Sequence, residues 1–206
     1  MSQNVTNLPR GQAILAGNGR TLSTGMRPDL EGIQTEFQDI APGQASGVKV
    51  VRSSRFVKAI MLQNISGVTL EAGRAVSYAS GQRGRRVDGY STVSVGPVAG
   101  IVDPHYGATG VADDDYFWCL YEGPAECKTD LAAGAGNVIS LDDLMVAMTA
   151  VTSQSTTSGR VVAQAATTST TYIMSVPLNA IGRALSAKTT ANTNADVLVD
   201  LACSLK

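Results

Sequence analysis

The sequence predicts a mainly β chain: a small β-barrel or β-sandwich over residues 48–206, preceded by a long extended arm over residues 1–47. Two observations carry the prediction. Apolar runs are short, rich in Val, Ile and aromatic residues, and closed by Gly, Pro, Asn or Asp. Composition agrees: 21 of 206 residues are Gly and only 16% are charged, with Ser and Thr filling much of the polar remainder. That combination suits strands joined by tight turns.

The arm is Gly- and Pro-punctuated, with single hydrophobes such as Ile14, Leu22, Phe37 and Ile40 in no sustained period. It reads either as disorder or as a segment ordered against a neighbouring subunit with those hydrophobes as pegs.

From Val48 the pattern becomes regular. Phe56-Val57-Lys58-Ala59-Ile60-Met61-Leu62 predicts a strand, ended by Asn64 and Gly67. Leu70 to Tyr78 gives a turn and then a strand, and Gly81 to Arg86 a loop tip. Val93, Val95, Val98, Ile101 and Val102 follow, stopped at Asp103-Pro104. Tyr116-Phe117-Trp118-Cys119-Leu120-Tyr121 is the most β-prone run, and Gly123-Pro124 is expected to close it.

Residues 137–151 fit a helix, with Ser140 and Asp143 as a capping box, or two strands around an Asp142-Asp143 turn; the flanking β pattern favours strands. Further strands are expected at Val161-Val162-Ala163, Tyr172-Ile173-Met174, Ile181 to Ser186 and Val197 to Leu201. A Gly-Arg-apolar-apolar-small pattern recurs at Gly73, Gly159 and Gly182, where Gly makes the corner, Arg faces water and the apolar pair enters the core.

Composition also limits function. A net charge of −1 lacks the basic surplus that phosphate neutralisation needs, so nucleic acid is not an expected partner. No apolar run reaches the roughly 20 residues that span a bilayer, and the first residues lack the pattern of a secretion signal, so a soluble cytoplasmic product is expected. Cys119, Cys127 and Cys203, odd in number and without CxxC spacing, read as buried reduced thiols.

No catalytic set emerges. His105 is the sole histidine and lies in Asp103-Pro104-His105-Tyr106-Gly107, a loop rather than a triad. The Asp113-Asp114-Asp115 and Asp142-Asp143 runs lack the alternation of a calcium loop. Gly17-Asn18-Gly19 and Gly134-Ala135-Gly136 do not continue into a phosphate-binding motif. Cofactor, metal and small-molecule substrate are therefore not expected. Candidate partner contacts are Phe37 on the arm, the basic tip Arg83, Arg85 and Arg86, and Trp118 as an aromatic anchor. Core packing competes for Trp118, because its run is apolar on both faces.

Five segments carry a resemblance when taken in order: Leu70-Glu71-Ala72-Gly73-Arg74-Ala75-Val76, Val98-Ala99-Gly100-Ile101-Val102-Asp103, Leu120-Tyr121-Glu122-Gly123-Pro124-Ala125-Glu126, Ala180-Ile181-Gly182-Arg183-Ala184-Leu185 and Asp196-Val197-Leu198-Val199-Asp200-Leu201. Their succession over residues 68–206 resembles the head-decoration, or capsid cement, proteins of tailed phages. The resemblance implies a non-enzymatic virion protein on the outer capsid surface, binding the assembled major capsid protein as a homo-oligomer, with a trimer typical of the family. The alternative is a tail or fibre β-module that binds a receptor or glycan.

Overall fold

A computed structural model describes residues 31–42, 50–91, 97–129, 138–147, 159–163, 180–188 and 196–203. Ten strands follow in chain order: β1 (Gln34–Ile40), β2 (Val51–Asn64), β3 (Ala75–Tyr78), β4 (Arg86–Tyr90), β5 (Val98–Val102), β6 (Tyr116–Lys128), β7 (Leu144–Ala147), β8 (Val161–Ala163), β9 (Ala180–Ala184) and β10 (Asp196–Ala202). The helical content among the described residues is one short 3-10 segment, Pro104–Thr109, opened by Asp103 and Pro104. The mainly β prediction holds.

The strands form one sheet in the order β1-β2-β4-β3-β5-β6-β10-β9-β7-β8, with a further β2–β6 pairing. That pairing closes a ring of β2, β4, β3, β5 and β6, which removes the edges an open sheet would expose. β10, β9, β7 and β8 continue from the other side, and a parallel bridge from Thr129 to Val161 returns β8 to the end of β6. β6 is therefore the shared wall of two rings.

Its sequence explains that position. Tyr116 to Tyr121 are all buried, as expected of a strand covered on both faces. The strand does not stop at Gly123-Pro124. It runs on to Lys128, with Pro124 opposite Asp200 and Ala125 opposite Val199. Among the described residues this half has a ladder on one edge only, and a one-sided edge tolerates proline.

Two other elements depart from the sequence reading. β4 was not expected, because Arg86 to Tyr90 holds Asp88 and Gly89 among few apolar residues. Part of the assigned arm is a strand of the domain: β1 pairs with β2 from Gln34 opposite Ile60 to Ile40 opposite Val51. Its exposed positions, Gln34, Glu36 and Gln38, alternate, but Thr35 and Asp39 stand at inward positions where hydrophobes would be expected, so the sequence shows no hydrophobic alternation. Residues 1–30 lie outside the described residues, as do Met148 to Val151 and the Tyr172-Ile173-Met174 run. For the ambiguous segment the strand alternative holds as far as it is described. Asp142 has a positive φ of 65°, the Ser140 N–H donates to Asp143 Oδ2 at 2.7 Å, and β7 follows.

Candidate functional site

Of the five candidate contacts, Phe37 and Trp118 meet inside the molecule. Trp118 is fully buried, and the Phe37 ring stands edge-on to it, 5.4 Å between centroids and 78° between planes. The expectation of Trp118 as a surface anchor is thus corrected: β2 places Met61 opposite Trp118 and the indole joins the core. Phe37 likewise is a peg, but into its own domain.

Arg85 and Arg86 converge on one carboxylate. Their Nε atoms donate to Glu31 Oε2 and Oε1 at 2.7 and 2.8 Å, and the Glu31 side chain is only 1% exposed. This clasp fastens the chain just before β1 to the turn that opens β4. Beside it, Gly32 N–H donates to the Met61 carbonyl and Met61 N–H to the Ile33 carbonyl, both at 2.8 Å. Arg83, also on this tip, is exposed.

The recurring Gly-Arg pattern does not serve one end. Gly73, Gly159 and Gly182 all adopt positive φ, and at Gly182 a Cβ would collide with the Asp200 carbonyl on β10. The expectation that Arg faces water holds for Arg183 and fails for Arg74. Arg74 is buried, its guanidinium lying 3.8 Å above the Tyr90 ring and 3.3 Å from Glu71 Oε2. Burial lowers its pKa, opposed by Tyr90 and Glu71.

A cleft of about 530 Å³ opens between the end of β1, the 71–73 turn, the 104–109 segment and the β6–β10 ladder. Glu71, Glu126, Lys128 and Asp196 supply its charge, and Pro42 and Pro104 lie on its walls. Burial raises the Glu126 pKa, while Arg52 acts to lower it. Arg52 binds Glu126 Oε1 at 2.7 Å and the buried Asp39 at 2.7 Å, and the Ser53 hydroxyl donates to the other Asp39 oxygen at 2.8 Å. The burial of Asp39 is thereby satisfied, as a buried charge requires.

The remaining chemistry-bearing residues are occupied structurally. Asp103, buried, accepts from the His105 backbone N–H at 3.1 Å and lies 3.0 Å from its Nδ1, holding the turn in which the Tyr106 hydroxyl accepts from Trp118 N–H. In the acidic run, Asp113 accepts from Gly67 N–H at 2.8 Å and Asp114 takes a positive φ. These are turn contacts. Among the described residues, no group of three or more His, Cys, Asp and Glu is placed to hold a metal ion. All three cysteines are free thiols and buried.

Residues that the sequence reading missed are Glu31, Asp39, Arg52, Arg55, Glu126 and Asp200. Their partners lie far apart in the chain, 74 positions for Arg52 and Glu126 and 145 for Arg55 and Asp200, so no local motif signals them. No family model matches the chain, and no curated protein matches it.

Proposed function

We propose that this chain is a structural virion protein that binds an assembled shell of major capsid protein and stabilises it, without chemical turnover. One observation carries the reading. Of the five segments that resemble decoration proteins, the first leads into β3 and the others fall on β5, β6, β9 and β10, and these strands are consecutive neighbours in the sheet, in the order β3-β5-β6-β10-β9. Pieces scattered over more than a hundred residues thus form one contiguous half of the fold.

The Glu31 clasp supports the same reading mechanically. Whatever residues 1–30 grip, the pull would pass through Glu31 into β4, and through Gly32 and Ile33 into β2, instead of peeling β1 away. A cement protein at the seams of a shell needs such a load path, and an arm that orders on binding covers a wide surface. The proposed site is the outer capsid surface, with copies associated as a homo-oligomer, a trimer being the state that the resemblance implies. Nucleic acid, membrane and small-molecule substrate have no part in it.

The test is co-sedimentation of the purified chain with expanded heads of its own phage, with calorimetry of the heads before and after addition. Saturable binding and a higher head melting temperature are expected. No association at saturating concentration would end the proposal, and density confined to the tail in electron micrographs of virions would replace it with the fibre reading.

A further inference from the structure

Lys58 marks a change in how β2 is held. From Gln63 to Lys58 the strand is laddered to β6, residue against residue, ending at a bulge between Lys58 and Ala59. Among the described residues, nothing on the N-terminal side of Lys58 is laddered to β6. There β2, still paired with β1, is joined to β10 and β6 by side-chain charge, Arg55 to Asp200 and Arg52 to Glu126 at 2.7 Å, while Lys58 meets Glu122 at 2.7 Å at the last ladder position. Three cations on one strand meet three carboxylates on two others.

Among the described residues the apolar contact beneath is small, though the backbones pack closely. Gly123, at φ +93°, lies so close under the Phe56 carbonyl that a Cβ there would collide with it. Phe37 and Val57 are the hydrophobes turned inward, whereas Val50, Val51 and Phe56 remain 44%, 48% and 60% exposed. The base of the hairpin is by contrast fixed, through the Glu31 clasp and the bonds of Gly32 and Ile33 to Met61.

We propose that residues 37–41 and 50–57 form a strap, latched to β6 and β10 by these ion pairs, that swings open about the Lys58–Ala59 bulge when the pairs are screened or neutralised. Opening would widen the cleft, whose lining includes Pro42, adjoining the strap, and Glu126 and Asp196. It would also lift Phe37 from Trp118. The latch is independent of the proposed role on a shell.

Ion pairs of this exposure are individually weak and sensitive to salt. Their reach shrinks from about 30 Å in 0.01 M salt to about 3 Å in 1 M. The experiment is hydrogen exchange of the full chain at these two NaCl concentrations, read by mass spectrometry. Amides in 37–41 and 50–57 are expected to exchange about tenfold faster in high salt, as local opening would allow, while those in 59–64 and 116–121 keep their protection. E126Q and D200N should reproduce the loosening at low salt, and the reversed pair R55D/D200R should restore protection. Equal exchange at both salt concentrations would overturn the strap. So would loosening that spreads equally into β6, because the hairpin would then open only with the whole fold.

Discussion

Phe37 and Trp118 show how one contact changes the meaning of two residues. Read alone, a single Phe in a Gly- and Pro-punctuated stretch is a peg for a neighbour, and a Trp among tyrosines is an interface anchor. Set edge to face they become a lid and its floor, a geometry worth about 0.5–1.5 kcal/mol beyond the area buried. Trp118 is the chain's only tryptophan, and its Nε1–H is buried without a hydrogen-bond partner among the described residues. Native emission should therefore be blue-shifted. Phe37→Ala should move it to the red and cost about 2 kcal/mol, below the usual core Phe→Ala value because Phe37 is only partly buried. Urea titration followed by fluorescence measures both. An unchanged spectrum in the folded variant would deny the contact. Residue chemistry was legible where partners are neighbours, as in the Ser140 and Asp143 turn. It was illegible for Arg74, whose stacking ring lies sixteen positions away on another strand.

At the scale of elements, the strands with dense β-branched or aromatic runs were visible in the sequence: much of β2, β5, the first half of β6, β8 and β10. β1 and β4 were hidden for one physical reason, that both hold polar residues or glycine where alternation requires hydrophobes. In β1 the deficit is offset by charge pairing, Asp39 to Arg52 and Glu31 to Arg85 and Arg86. β1 should accordingly depend on that pairing. Glu31→Ala leaves two guanidinium groups without their shared carboxylate. Because Arg85 is half exposed, the cost is expected at about 1–2 kcal/mol rather than the full price of a buried pair. Thermal melting should show a drop of a few degrees, at about 2–4 °C per kcal/mol for a chain of this length. Glu31→Gln, which keeps an acceptor oxygen, should lie between the two. A melting temperature equal to wild type in Glu31→Ala would show that the clasp carries no load.

For the whole molecule, the apolar pattern announced a β fold with buried thiols. The closure of two rings around one strand was not readable, because ring closure depends on which distant strands meet. The thiols report on that interior. Burial pushes Cys203 up to about 12, and raises Cys119 and Cys127 well above the usual thiol value. In the unfolded chain these groups lose protons near pH 8.5. The folded state therefore binds more protons above that pH, and stability is full below it and falls as pH rises toward 12. Tyr90 and Tyr121, raised mainly by burial, act in the same direction. A thiol reagent should label none of the three cysteines at pH 8 until denaturant unfolds the chain, and the urea midpoint should decline steadily above about pH 9. Rapid labelling of native protein would place a thiol at the surface.

Because a single strand, β6, is shared by two rings of one sheet, its length is fixed twice over. Losing one residue within it would turn every following side chain to the opposite face, for the ladders of both rings at once. Neither half could be repaired by adjusting its own neighbours, so tolerance of insertion and deletion should be lowest in the middle of the chain.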